Sequence, residues 1–220
     1  MKKLREKKNR KLIQYLLAPL VPLVIVGGFY WPYLGYLALA MMVTMLIMVF
    51  FRGRFYCGWL CAMGGFHERA LAKFSLKREM PPLFKKTWFR WLFVVLLMGL
   101  MLSRLVMSGG DPAKVGAVFV MMWTVATAIA IAVGLYFKPR SWCNFCPMGS
   151  MQGIMAPNTH ILRVTPDCKQ CGLCQKVCPL QTNPGAYREQ GFVPSLECIR
   201  CENCAVNCPR KALSVGKVTG

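Results

Sequence analysis

Four long, charge-poor apolar stretches, residues 12–30, 31–51, 91–107 and 115–137, constrain this chain more than any other feature. Each is close to the roughly 20 residues that a helix needs to cross a bilayer. Hydrocarbon offers no water to backbone amides, so each stretch must close its hydrogen bonds internally, as a helix. The chain is 55% hydrophobic, which suits a four-helix membrane unit. Residues 1–11 are basic, but the apolar run after them is too long for a signal peptide and shows no small-residue cleavage site. It reads as a retained first helix, kinked at Pro19 and Pro22. A Gly- and aromatic-rich corner, Gly27 to Pro32, joins it to the second helix, and Trp31, Tyr33 and Trp91 stand where interfacial aromatics are expected.

The net charge of +20 suggests nucleic acid until it is mapped. Seven of the 28 Lys and Arg precede the first apolar stretch, nine lie in 52–90 and ten follow residue 137; only Arg104 and Lys114 fall near the other side. Positive-inside asymmetry explains that distribution without a nucleic-acid partner. It predicts a multi-pass protein of the cell inner (cytoplasmic) membrane, with both termini and every cysteine motif cytoplasmic. Anionic membrane lipids then supply the counter-charge. A reducing compartment also makes structural disulfides improbable for the twelve cysteines.

Eight of those cysteines form two runs near the carboxy terminus, Cys168-x2-Cys171-x2-Cys174-x3-Cys178-Pro179 and Cys198-x2-Cys201-x2-Cys204-x3-Cys208-Pro209. The spacing is the bacterial one for [4Fe–4S] clusters, in which the fourth cysteine ligates the other cluster. The expected sets are therefore Cys168, Cys171, Cys174 and Cys208 for one cluster, and Cys198, Cys201, Cys204 and Cys178 for a second. Zinc is the plainer alternative, but zinc sites want paired C-x2-C motifs or histidines. With strands at 161–164 and 212–215, residues 160–220 read as a small α+β ferredoxin-like domain following a membrane domain at 1–159. About 60 residues make a thin core, so bound clusters would carry much of its folding stability.

The other four cysteines lie in an internal repeat. After the second apolar stretch comes Arg54-Phe55-Tyr56-Cys57, with Cys61-Ala62-Met63-Gly64 behind it; after the fourth comes Arg140-Ser141-Trp142-Cys143, with Cys146-Pro147-Met148-Gly149 behind it. The four helices thus read as two parallel hairpin repeats, related by an axis along the membrane normal. That symmetry brings Cys57, Cys61, Cys143 and Cys146 together as candidate ligands of a third [4Fe–4S] cluster. A redox-active thiol pair, for which Cys143-x2-Cys146 has the spacing, and plain packing cysteines are the competing readings.

These motifs, from Gly53 to Cys61 and from Trp142 to Pro147, together with the two ferredoxin runs, resemble the NapH family of four-helix membrane iron–sulfur proteins, related to the NosR and CcoG groups. The family pattern has proline where this chain has Ala62, and three residues where only two separate Cys143 from Cys146. The resemblance implies quinol-linked electron transfer within a respiratory complex, with quinone and other redox subunits as partners. A metal-reducing assembly factor of the CcoG kind is a rival reading. A NosR-like regulator is another, although 108–114 leaves room for only a short outer connection.

No Asp or Glu falls within the four stretches, so the usual carboxylate relay of a proton pump is missing. The two histidines, His67 and His160, both map outside them, which excludes bis-histidine haems in the bilayer. Arg104 is a candidate quinone or lipid contact, with snorkelling to the outer interface as the simpler description. His67, on an expected amphipathic interfacial segment, reads first as a surface histidine; taking a proton from a quinol or tuning a nearby cluster are its functional readings. The methionines at 41, 42, 45, 48, 121 and 122 read as adaptable packing.

Overall fold

The computed structural model describes residues 2–156 and 160–216. The first apolar stretch is two helices, α1 (Lys2–Leu17) and α2 (Leu20–Tyr30), rather than one. The break falls at Ala18–Pro19, where proline brings no N–H to continue the ladder. After a short turn at Pro32–Leu34 the chain returns as α3 (Gly35–Arg52), followed by α4 (Phe55–Trp59) and α5 (Ala62–Ala70). The second hairpin is α6 (Thr87–Met107) and α7 (Pro112–Tyr136), followed by α8 (Pro147–Met155). Four segments, Lys8–Tyr30, Pro32–Arg52, Thr87–Met107 and Pro112–Tyr136, are long and apolar enough to cross a membrane.

The hairpins close on each other where Gly35 and Gly116 meet. A Cβ at Gly35 would stand 2.0 Å from the Gly116 carbonyl oxygen, so this contact excludes any larger residue. Phe29, Tyr30, Trp31 and Tyr33 crown that end of the bundle and are largely exposed, as interfacial aromatics are. Arg104 lies in the last turn of α6 on the same side, exposed. All the cysteine motifs sit at the opposite end.

The carboxy-terminal unit is a three-stranded antiparallel sheet in the order β2-β1-β3, from β1 (Ile161–Val164), β2 (Phe192–Val193) and β3 (Leu213–Gly216), with two short helices, α9 (Leu173–Val177) and α10 (Asn203–Val206). The strand at Phe192–Val193 was not expected; two residues are too few to show alternation. The expected domain boundary at 159/160 borders residues 157–159, which lie outside the described ones, as does the end of the second domain at 217–220.

One loop docks this unit onto the helices. Arg54 donates to the carbonyls of Ser195 (3.3 Å) and Leu196 (2.8 Å), and Arg90 pairs with Glu197 at 2.7 Å. Arg200 reaches the other way and caps α3, donating to the Arg52 carbonyl at 2.5 Å. It lies against Gly53, where φ is +55°. A guanidinium on the last carbonyls of a helix also complements its dipole.

Candidate functional site

Each half of the repeat builds the same local device. In the first, α3 ends at Gly53, one turn of helix carries Cys57, and the chain restarts as α5 with Cys61 as its N-cap, the sulfur accepting from the Gly64 N–H at 3.4 Å. In the second, α7 ends at Phe137, the turn Ser141–Asn144 carries Cys143, and α8 restarts behind Cys146 with Pro147 at its first position. One thiol of each pair therefore lies in a turn and the other at a helix N-terminus, where the dipole favours a thiolate ligand.

All four thiols line a single cavity. Two arginines tie the halves together: Arg140 donates to the Cys57 carbonyl at 2.8 Å, and Arg54 to the Cys143 carbonyl at 3.2 Å. Both side chains are about 1% exposed. Arg140 and Arg10 share the Glu68 carboxylate at 2.7 and 2.8 Å, and Arg54 donates only to carbonyls. Three guanidiniums thus face one carboxylate beside the thiols. Arg140 Nη2 and Arg54 Nε are buried without a hydrogen-bond partner. Four sulfurs, excess positive charge and orphaned donors fit an anionic iron–sulfur cluster held by four thiolates.

Burial pushes the Cys57 thiol up to about 12, and raises Cys143 and Cys146 as well. Thiolates at these positions therefore call for compensating positive charge, from the neighbouring arginines or from bound iron. Among the described residues no group of three or more His, Cys, Asp and Glu side chains stands close enough to hold a single metal ion.

In the carboxy-terminal unit, Cys178, Cys198, Cys201 and Cys204 line one pocket, about 410 Å³ with its open part. The last cysteine of the first run thus stands with the first three of the second. Cys168, Cys174 and Cys208 pack against the small core around Leu162 and Cys204, and Cys171 is exposed. The two regions touch: Cys57, Leu180 and Ile199 form a buried cluster against which Cys143, Cys178 and Cys201 pack. Gly58 permits that approach, since a Cβ there would lie 2.2 Å from the Ile199 carbonyl oxygen.

From the four thiols the cavity, about 1230 Å³ with its open part, runs into the bundle. Its walls are Met41, Met42 and Met45 of α3, Met98 and Met101 of α6, and Phe119, Met122 and Trp123 of α7. Several methionines read from sequence as packing are therefore cavity wall. His67 also lines it, and here the expectation of a surface histidine is wrong. The side chain is 2% exposed, because α5 turns inward against α1 instead of lying on the membrane surface. Its Nδ1 lies 2.9 Å from the Met63 carbonyl, and its Nε2 has no partner. Burial first, then Arg140, pulls its pKa down to about 4. Arg104 is not among the lining residues.

Sequence reasoning missed Arg10, Glu68, Gln152 and Trp123. Gln152 is fully buried, within 2.7 Å of Cys57 Sγ. Arg54 and Arg140 were visible as repeated positions, but nothing in the sequence assigned them a bonding role.

Transmembrane helices, a duplicated thiol device and a two-run cysteine tail define a multi-pass membrane iron–sulfur protein. The comparisons with known proteins agree. One family model, a 4Fe-4S binding domain, matches twice, at residues 34–81 and 119–163, once for each half of the repeat; a 4Fe-4S dicluster domain matches residues 167–213. An uncharacterized protein of Methanocaldococcus jannaschii is 29% identical over 96% of this chain and 87% of its own length. The ferredoxin-type protein NapH of Haemophilus influenzae is 24% identical over 79% of this chain and 67% of its own. NirI of Paracoccus denitrificans is 29% identical over 69% of this chain but only 24% of its own length. No solved structure matches. The chain is similar to NapH/NosR-type membrane ferredoxin-like proteins, and its 4Fe-4S domains support a part in iron–sulfur electron transfer.

Proposed function

We propose that this protein relays single electrons between quinol in the bilayer and a redox partner at the cytoplasmic face, as a subunit of a respiratory complex. The observation that carries the reading is the continuity of the thiol sites. An apolar cavity between helices reaches Cys57, Cys61, Cys143 and Cys146, and Cys57 and Cys143 share one buried cluster with Cys178 and Cys201. Next in line stand the remaining ferredoxin cysteines, with Cys171 exposed.

In this reading Cys57, Cys61, Cys143 and Cys146 hold one [4Fe–4S] cluster. Cys178, Cys198, Cys201 and Cys204 hold a second, and Cys168, Cys171, Cys174 and Cys208 a third. The clusters supply reversible one-electron storage. The chain's own residues do the rest. Arg54 and Arg140 fix the two halves at one spacing, and Arg10, Arg54 and Arg140 offset the charge of thiolate ligands. The methionine and aromatic walls give the inner cavity an apolar lining, and Glu197 with Arg90 seats the ferredoxin-like unit. Exposed Cys171 marks where a partner would take over the electron. Arg104 meets lipid headgroups at the far interface, in keeping with its exposure.

The test is iron and sulfide analysis of the anaerobically purified chain, followed by mixing with a quinol. About twelve iron atoms and bleaching of the cluster absorbance support the relay. Full loading with no reduction by any quinol, partners present, would defeat it. Reduction of a bound metal ion under those conditions would favour the assembly-factor reading instead.

A further inference from the structure

His67 and Trp123 each carry a buried polar nitrogen that no protein atom satisfies, and both line the cavity above the four thiols. A buried polar group is costly to leave unmet, so on a cavity wall it marks a place where an occupant supplies the partner. Arg54 Nε and Trp142 Nε1 are orphaned on the same lining, beside Cys143 at the thiol end. The polarities of His67 and Trp123 differ. The Met63 carbonyl can only accept, so the hydrogen of the neutral imidazole sits on Nδ1 and Nε2 presents a lone pair. Trp123 Nε1 can only donate.

The occupant that satisfies both is amphipathic: an apolar body for a wall of methionines and aromatics, one hydroxyl that donates and one oxygen that accepts. A hydroquinone has both. We propose that His67 Nε2 takes the proton of a hydroquinone bound in this cavity, while Trp123 Nε1–H anchors an oxygen of the same ring. This rests on the quinol reading given above and adds the residues that perform it.

In the step, an O–H bond of the hydroquinone breaks and an N–H bond forms at Nε2, while one electron passes to the oxidised relay. Burial and then Arg140 disfavour the resulting imidazolium, which gives its proton up to water at the open part of the cavity. The second proton and electron follow the same course. One hydroquinone yields one quinone, two protons and two electrons. Glu68, next in sequence, is held by Arg10 and Arg140 and takes no part.

The test uses the full, cluster-loaded chain in lipid nanodiscs with short-tailed benzo- and naphthohydroquinones and their oxidised forms. Quinone binding, read as quenching of tryptophan fluorescence, should persist in His67→Gln within about threefold, because the amide oxygen still accepts a hydrogen bond. Cluster reduction by the hydroquinone should slow by about a hundredfold or more, because an amide cannot hold the proton. Trp123→Phe should lose much of the quenching and weaken binding. Iron content should be unchanged in both variants. Wild-type reduction rates in His67→Gln, or unchanged quenching and affinity in Trp123→Phe, would overturn this assignment and leave the quinol reading standing. Failure of every quinone to bind the wild-type chain would remove both.

Discussion

The guanidinium of Arg140 holds the carbonyl of Cys57 at 2.8 Å, three residues before its own half's first cysteine, and Arg54 repeats the gesture toward Cys143 at 3.2 Å. Each half of the repeat thereby fixes the other half's thiol turn. Because the donors are charged and buried, each bond is stronger than a neutral one.

Removing that brace should be costly. Arg140→Ala leaves Glu68 paired with Arg10 alone and strands the Cys57 carbonyl. The expected loss is about 3–5 kcal/mol of stability, typical of breaking a buried ion pair. Thermal unfolding of the purified chain checks it, with Arg140→Lys recovering only part because lysine lacks the fork.

Cys146→Ser should lower the iron count from about twelve to about eight while the spectrum of the ferredoxin-like unit persists. Cys201→Ser should instead unfold that unit, whose core is small and leans on its clusters. Iron analysis with EPR on both variants separates the outcomes. An unchanged iron count in Cys146→Ser would remove the cluster from the membrane face.

Gly58→Ala places a methyl group 2.2 Å from the Ile199 carbonyl oxygen, so the ferredoxin-like unit must shift away from α4. Iron content should hold while electron transfer from the membrane thiols to the tail slows. Stopped-flow bleaching of the clusters would measure the change.

His67 gives a stability signature of its own. Its folded pKa of about 4 lies below the ordinary 6.5, so the unfolded chain binds the proton first as pH falls. The contribution of His67 should therefore be constant above about pH 6.5 and fall by about 1.4 kcal/mol per unit below it. The decline levels off near pH 4, after a total of about 3 kcal/mol. Glu68, whose pKa is also depressed, contributes only below its ordinary value of 4.5. The interval from 6.5 to 4.5 thus belongs to His67. Unfolding midpoints for wild type and His67→Gln across that interval should differ in slope.

Four apolar stretches, two cysteine runs and a duplicated Arg-to-Gly motif were enough to predict four membrane-crossing segments and two of the three strands of the terminal sheet, and to single out the twelve cysteines as candidate ligands. These follow from local rules: lipid demands helices, and cluster ligation demands set spacings. The fate of His67 was not legible, because a histidine among polar neighbours looks the same on an interface as inside a bundle. Only the inward turn of α5 against α1 buried it. Nor could the sequence pair Arg54 with Cys143 or Arg140 with Cys57, since those bonds cross 89 and 83 residues. The cavity beside them is likewise a product of three helices meeting at methionine-rich faces. Spacing along a chain determines what can bind; the close approach of distant segments decides where charge is compensated and which polar atoms are left waiting for a partner.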